Sequence, residues 1–129
     1  MNAAGPRIRI LAVDDHPLVR GGIAGFIGVQ EDMVLVAEAA NGREAIQQFR
    51  THRPDVTLMD LQMPEMSGAE TARRIRANPA SAHVPLVAMT ADSFAGESQR
   101  LAGIGMDDAI EKPIDATSID RVVHRWLLR

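Results

Sequence analysis

Five short apolar runs alternate with stretches of helical periodicity, and this alternation limits the possible folds more than any other feature. The runs predict strands at residues 7–13, 33–39, 56–59, 85–89 and 107–111. Strands that are apolar on both faces are typical of a parallel sheet with helices on each side. The sequence therefore predicts an α/β fold, a doubly wound five-stranded parallel sheet with helices on both faces.

The segments between the strands carry the signals of helix starts. Pro17 suits a first helical turn, and the predicted apolar face of this helix comprises Leu18, Val19, Gly22, Ile23, Phe26 and Ile27. Ser67 and Glu70 predict a capping box for the third helix. Residues 94–102 predict a weaker fourth helix. Asp115 predicts the cap of the last helix, whose apolar face comprises Ile119, Val122, Val123, Trp126 and Leu127.

Length and composition narrow the class of protein. A chain of 129 residues predicts a single domain over residues 1–129, with residues 1–7 as a flexible lead-in. The absence of cysteine excludes disulfides and thiolate metal sites. The net charge is −3 and the arginines are scattered, so no direct nucleic-acid binding is expected. No apolar run is long enough for a membrane span and no signal-peptide pattern opens the chain, so a cytoplasmic protein is expected.

Four of the five predicted strands end in polar side chains that can do chemistry. Strand one ends in Asp14-Asp15, strand three in Asp60, strand four in Thr90 and strand five in Lys112. Parallel strands place such ends at one edge of the sheet, where ligands of these folds bind. A strand order of 2-1-3-4-5 would put strand two outside and gather the other four ends around one crevice.

The gathered side chains suit phosphoryl transfer. Three converging carboxylates repel one another without a cation, and oxygen ligands suit Mg²⁺. With Mg²⁺, one carboxylate can attack phosphorus while a hydroxyl and an ammonium hold the phosphoryl oxygens. Lys112 is the single lysine beside thirteen arginines, and a compact ammonium fits where a guanidinium fork does not. Taken singly, each residue has an ordinary alternative: Asp14-Asp15 as a helix cap, Asp60 as a turn residue, Thr90 as a helix start.

The motifs LAVDDHP, DVTLMDLQMPEMSG, VPLVAMTA and AIEKP resemble, in this order, the receiver domains of two-component response regulators, the chemotaxis regulators among them. The resemblance covers about Arg9 to Leu128. It implies a flavodoxin-like fold and a histidine kinase or histidine-phosphotransfer protein that donates a phosphoryl group to Asp60. It also implies a downstream protein partner at the face of helix four, strand five and helix five. The residues expected to be exposed there, such as Gln99, Arg100 and Arg121, are not diagnostic of a partner.

The resemblance assigns a role to each residue of the crevice. Asp14, Asp15, Asp60 and the backbone carbonyl of Gln62 are the implied Mg²⁺ ligands. Thr90 is the implied switch hydroxyl, and Lys112 is the implied phosphate contact, with a cis bond to the proline after it. Gly68 matches the glycine of the loop after the phosphoacceptor.

The chain departs from the family pattern at Ala109, where many receivers carry a Tyr or Phe that moves inward with the threonine. The aromatic part of the switch is therefore absent, while a movement of Thr90 and its loop remains available. Gln62 and Asp92 occupy the positions that tune phosphoryl lifetime in the family.

Other functions remain open from the sequence. One is a degenerate receiver that acts only as a phosphorylation-independent interaction module, favoured by Ala109 and disfavoured by the intact crevice residues. Another is a Mg²⁺-dependent phosphohydrolase with an aspartyl nucleophile, although such enzymes carry two aspartates around one residue after the first strand. A P-loop nucleotidase is excluded because the glycine-rich loop is missing. A receiver is not expected to be an enzyme beyond its own phosphorylation and autodephosphorylation. Stand-alone regulators, hybrid kinases and regulators with helix-turn-helix output all contain similar segments.

Overall fold

The computed structural model of the chain describes residues 7–91 and 98–127. Its strands are β1 (Ile8–Val13), β2 (Met33–Ala39), β3 (Val56–Asp60), β4 (Leu86–Thr90) and β5 (Asp108–Glu111). Its helices are α1 (Pro17–Gly28), α2 (Gly42–His52), α3 (Gly68–Arg76), α4 (Ser98–Gly103) and α5 (Ala116–Leu127), with a short 3-10 turn at Pro79–Ser81. No helix in these two described ranges is both long and apolar enough to cross a bilayer.

The five strands form one parallel sheet in the order β2-β1-β3-β4-β5, as the sequence predicts. Successive residues of β1 point to opposite faces, so Ile10 joins one apolar core and Leu11 the other. The first core contains residues of α1 and α5, and the second contains residues of α2, α3 and α4. Helices therefore cover both faces, which confirms the doubly wound, flavodoxin-like architecture.

Several predicted details are corrected by the structure. Leu18 was expected on the buried face of α1, yet 90% of it is exposed because it lies in the first turn, beyond the sheet edge. Only half of the expected capping box forms: the Ser67 hydroxyl accepts from the Glu70 N–H at 3.1 Å, while the Glu70 carboxylate contacts Arg73 and Arg74. Of the predicted fourth helix, residues 94–97 lie outside the described residues.

Two glycine environments matter for the site. A Cβ on Gly68 would lie 2.5 Å from the Asp60 carbonyl oxygen and 2.8 Å from Leu61 Cα, which are backbone atoms without freedom to move aside. Gly68 therefore allows the start of α3 to lie against the end of β3. The glycines of α1, among them Gly21 and Gly25, have open space where a Cβ would stand.

Arg76, the last residue of α3, ties three separate segments together. Its guanidinium donates to the carbonyl oxygens of Gly105 at 3.2 Å and Val84 at 2.7 Å, and it forms an ion pair with Asp107 at 2.6 Å. Asp107 also accepts from the Leu86 N–H at 2.9 Å. One side chain therefore fixes the loops that lead into β4 and β5 against α3.

Candidate functional site

The structure brings the predicted residues to one edge of the sheet. Asp14 follows β1, Asp60 and Thr90 end β3 and β4, and Lys112 follows β5. Asp14 is fully buried, and Asp60 and Thr90 are each 3% exposed. Buried polar side chains are costly unless they are paired, and three of them lie together at the ends of β1, β3 and β4. Their convergence indicates a binding site.

Lys112 links two of the carboxylates. Its Nζ lies 3.3 Å from Asp14 Oδ2 and 3.5 Å from Asp60 Oδ2, and 24% of its side chain is exposed. The Lys112 N–H donates to the Thr90 carbonyl oxygen at 2.7 Å, so the backbone of the two strand ends is also joined. The bond from Lys112 to Pro113 is cis, as the resemblance implied.

The acidic residues leave ligand oxygens available for a cation. One oxygen each from Asp14, Asp15 and Asp60 lies within 4.8 Å of the others, and an imidazole nitrogen of His16 belongs to the same group. Asp14 Oδ2 and Asp15 Oδ1 are buried and accept no hydrogen bond from any residue of the described ranges. Buried oxygens without donors fit a cation well, and Mg²⁺ takes such carboxylates while keeping several waters. The residues present therefore fit the magnesium ion that the fold family implies.

The environment of Asp60 disfavours its ionised form when no cation is bound. Burial raises the pKa of the Asp60 carboxyl above its ordinary value, and the charge of Asp14 adds to that rise. The Gln62 N–H, which donates to Asp60 Oδ1 at 3.1 Å, and the ammonium of Lys112 act in the opposite direction on this pKa. Asp60 is therefore a carboxylate whose charge needs further compensation, as a cation would supply.

Two residues at the site were missed by the sequence reasoning. His16 Nδ1 lies 3.1 Å from Asp14 Oδ1 and 3.2 Å from Asp15 Oδ1. Arg20 donates to the Asp14 carbonyl oxygen at 2.6 Å and pairs with Glu38, at the end of β2, at 3.1 Å. The histidine in DDHP was a usable signal, since imidazole beside two carboxylates is a common ligand combination. Nothing in the sequence indicated where the long Arg20 side chain ends.

Some predicted positions are less well defined by the structure. The backbone carbonyl of Gln62 stays a predicted ligand. The hydrogen bond that links Gln62 to the site is made by its backbone N–H, which donates to Asp60 Oδ1. Asp92 lies outside the described residues, as do the side chains of Gln99 and Arg100. Arg121 is exposed on α5, as expected.

The comparisons with known proteins agree with this geometry. Residues 10–124 match the family described as response regulator receiver domain. Response regulator protein VraR of Staphylococcus epidermidis is 35% identical over 118 residues, which cover 92% of this chain and 56% of VraR. Chemotaxis protein CheY4 of Vibrio cholerae superimposes with a TM-score of 0.83 at 26% identity, over 94% of this chain and 99% of CheY4.

A third relative concerns the metal. The receiver domain of sensor histidine kinase PA1611 from Pseudomonas aeruginosa, solved with a magnesium ion in its active-site cleft, has a TM-score of 0.77 and 28% identity, over 95% of this chain and 99% of that one. The chain spans only part of several curated relatives, between 12% and 56% of their length. Sequence, fold and strand-end residues lead to one conclusion: the chain belongs to the response regulator receiver domain family of two-component signalling.

Proposed function

We propose that Asp60 accepts a phosphoryl group from a histidine kinase or a histidine-phosphotransfer protein, and that the bound group alters the face formed by α4, β5 and α5. The observation that carries the proposal is the position of Lys112 Nζ, at 3.3 Å from Asp14 Oδ2 and 3.5 Å from Asp60 Oδ2, two buried carboxylates. Asp14 Oδ2 and Asp15 Oδ1 accept no hydrogen bond from the described residues. This combination provides a nucleophile, a cation site and an anion contact in one crevice.

In the transfer, an Asp60 carboxylate oxygen forms a bond to phosphorus as the bond from phosphorus to the donor imidazole nitrogen breaks. The electron pair of the broken bond stays on the imidazole. Mg²⁺, held by Asp14, Asp15 and Asp60, supplies neutralisation of charge on the phosphoryl oxygens when it is bound. Lys112 leaves its contact with Asp60 for a phosphoryl oxygen, and Thr90 presents its hydroxyl to another.

We infer that the donor docks beside this crevice. A groove of about 280 Å³ lies between α1 and the segment after β5, and its lining includes Leu18, Phe26, Lys112 and Ile114. Leu18 is exposed at the rim of this groove. A donor that packs against Leu18 would bring its phosphohistidine close to Lys112. Exposed apolar side chains at a groove are a usual mark of partner surfaces.

The two other functions have less support. The degenerate receiver gains nothing from the geometry, since the five crevice side chains are all retained and gathered. The phosphohydrolase requires two aspartates that flank one residue after the first strand, whereas Asp14 and Asp15 are adjacent after β1. We expect no reaction on other substrates, and the cytoplasmic location stays a prediction.

The test of the transfer is incubation with acetyl phosphate and Mg²⁺, followed by intact mass measurement. The parent gains one phosphoryl group, Asp60→Asn gains none, and the control Asp120→Asn, which changes a partly exposed carboxylate of α5, behaves like the parent. A phosphoryl group retained by Asp60→Asn would refute the assignment of the acceptor, and a parent that gains none with intact Mg²⁺ binding would favour the degenerate receiver.

The switch depends on Thr90, because Ala109 supplies no aromatic ring to move. Ala109 pairs with Ala88 in the sheet and is only partly buried. The Thr90 carbonyl binds the Lys112 N–H, so a shift at Thr90 reaches the end of β5 directly. We expect Thr90→Ala to accept the phosphoryl group and to lose most of the change in amide exchange over residues 98–112 that beryllofluoride causes in the parent. An equal change in both proteins would remove Thr90 from the switch.

A further inference from the structure

The imidazole of His16 occupies a place that the proposed phosphoryl transfer does not use. The His16 N–H donates to Asp14 Oδ1 at 2.8 Å, and this turn brings the ring back over the acidic pair. Its Nδ1 then lies 3.1 Å from Asp14 Oδ1 and 3.2 Å from Asp15 Oδ1. Pro17 follows at once as the first residue of α1, which fixes the direction in which the chain leaves this turn.

These separations are those of neighbouring ligands around one cation. Two donors at about 2.1 Å from a metal and at a right angle to each other are about 3.0 Å apart. His16 Nδ1 meets this requirement with both carboxylates, and a ring nitrogen of His16 lies within 4.8 Å of a carboxylate oxygen of Asp60. With 64% of the side chain exposed, the ring has room to turn its lone pair towards a bound ion.

A second observation indicates that the imidazole stands beside a cation site and does more than neutralise Asp14 and Asp15. Asp14 is fully buried, and its Oδ2 accepts no hydrogen bond from the described residues, although Lys112 lies nearby. Asp15 Oδ1, which lies 3.2 Å from His16 Nδ1, is also buried and accepts no hydrogen bond from the described residues, so both carboxylates keep lone pairs for a cation. The donor set is therefore three carboxylates and one nitrogen.

We infer that His16 Nδ1 is a ligand of the bound cation and that it shifts the site towards divalent transition metals that favour nitrogen, such as Co²⁺, relative to Mg²⁺. Imidazole suits first-row transition metals, whereas Mg²⁺ prefers oxygen. The inference rests on the proposed function only in that both place the cation between Asp14, Asp15 and Asp60. It predicts that loss of the His16 imidazole changes the affinities for Co²⁺ and Mg²⁺ to different extents.

The test is direct titration of the tag-free protein with Mg²⁺ and, separately, with Co²⁺, by calorimetry and by the visible absorption of Co²⁺. In His16→Asn, the affinity for Co²⁺ falls by about tenfold or more, the size typical for losing a group that supports a metal. The affinity for Mg²⁺ changes by less than about twofold. The Co²⁺ absorption also shifts, because a nitrogen donor is lost. His83→Asn, which removes an exposed histidine two residues after the 3-10 turn, leaves both affinities and the spectrum unchanged.

The outcomes separate this inference from the proposed function. If the shared cation site is correct, Asp60→Asn lowers the affinity for both Mg²⁺ and Co²⁺, whether or not His16 is a ligand. An unchanged Co²⁺ affinity and spectrum in His16→Asn would overturn the role of the imidazole while leaving the phosphoacceptor intact. An equal loss of Mg²⁺ and Co²⁺ would also overturn it, since it would show that His16 supports the acidic turn and does not select the metal.

Discussion

The crowding of carboxylates predicts that Asp60→Asn is more stable than the parent when no metal is present. The two side chains have the same shape, and the amide oxygen can still accept from the Gln62 N–H, which donates to Asp60 Oδ1 in the parent. The substitution therefore removes a charge and little else. Whether the substitution raises or lowers the free energy of unfolding depends on which is larger in the parent, the attraction of Asp60 to Lys112 or its repulsion from Asp14 and Asp15.

The distances decide between these effects. At an effective dielectric constant of about 20, a pair of unit charges at 3.5 Å, the separation of Lys112 Nζ and Asp60 Oδ2, attracts by about 5 kcal/mol. Asp14 and Asp15 each lie within 4.8 Å of Asp60, so each repels it by about 3.5 kcal/mol or more on the same scale. Repulsion exceeds attraction by about 2 kcal/mol, and the cost of burying the charge has the same sign.

Melting temperature in EDTA measures the difference. For a domain of this length, about 2 kcal/mol corresponds to a rise of roughly 8 °C in Asp60→Asn. Mg²⁺ at a hundred times its dissociation constant stabilises the parent by about 2.7 kcal/mol and the Asn variant by less. The difference in melting temperature between the two proteins therefore disappears or changes sign. Glu31→Gln is the control, because it deletes an exposed carboxylate far from the site and makes the same change in net charge. An Asn variant that melts clearly below the parent in EDTA would refute the reasoning.

Three further predictions concern other parts of the molecule. Lys112→Arg and Lys112→Ala are both expected to slow phosphorylation by acetyl phosphate, by about a hundredfold, since the guanidinium fork does not fit beside a cation and a phosphoryl group; an Arg variant as fast as the parent would reduce the lysine to a generic charge. Gly68→Ala is expected to lower unfolding stability in urea by about 1–3 kcal/mol through overlap with the backbone of β3. Its control, Gly25→Ala in open space on α1, is expected to raise stability by up to about 1 kcal/mol, and equal effects at the two glycines would contradict the steric argument. The hydrogen bond to Asp32 raises the pKa of His124 above its ordinary 6.5. Its stabilising contribution is therefore complete below that value and disappears as pH rises through the raised pKa. His124→Asn is expected to lose less stability than the parent between pH 5.5 and pH 8.5, and parallel urea curves for the two proteins would show that the contact contributes nothing.

Most of the fold was accessible from the sequence because the strands are marked by uninterrupted apolar runs and their ends by polar residues. The order of strands followed from asking which order gathers Asp14, Asp60, Thr90 and Lys112, and β2 at the edge confirms it. Boundaries were off by a residue where backbone hydrogen bonding decides them. Pro85 was assigned to β4, yet the strand begins at Leu86, since a proline has no N–H to donate.

The missed features share a physical cause. Arg20 and Arg76 act through guanidinium groups far from their own Cα atoms, and helical periodicity says nothing about where such groups end. Leu18 fits the apolar spacing of α1 but lies beyond the sheet that would cover it. The requirement for Gly68 was visible as a motif position, and only the structure shows that the backbone of β3 imposes it.

The single lysine has a consequence for chemical modification of the chain. Acylation and related reactions target ε-amines, and arginine side chains are inert to them, so the chain offers one such side chain among its 129 residues. That side chain is Lys112, which lies between Asp14 and Asp60. Acylating it would remove the positive charge that both carboxylates face and, with it, the proposed contact with a phosphoryl group. Amine acylation therefore has one side-chain target here, and each molecule acylated on that side chain is altered at the proposed phosphoryl site.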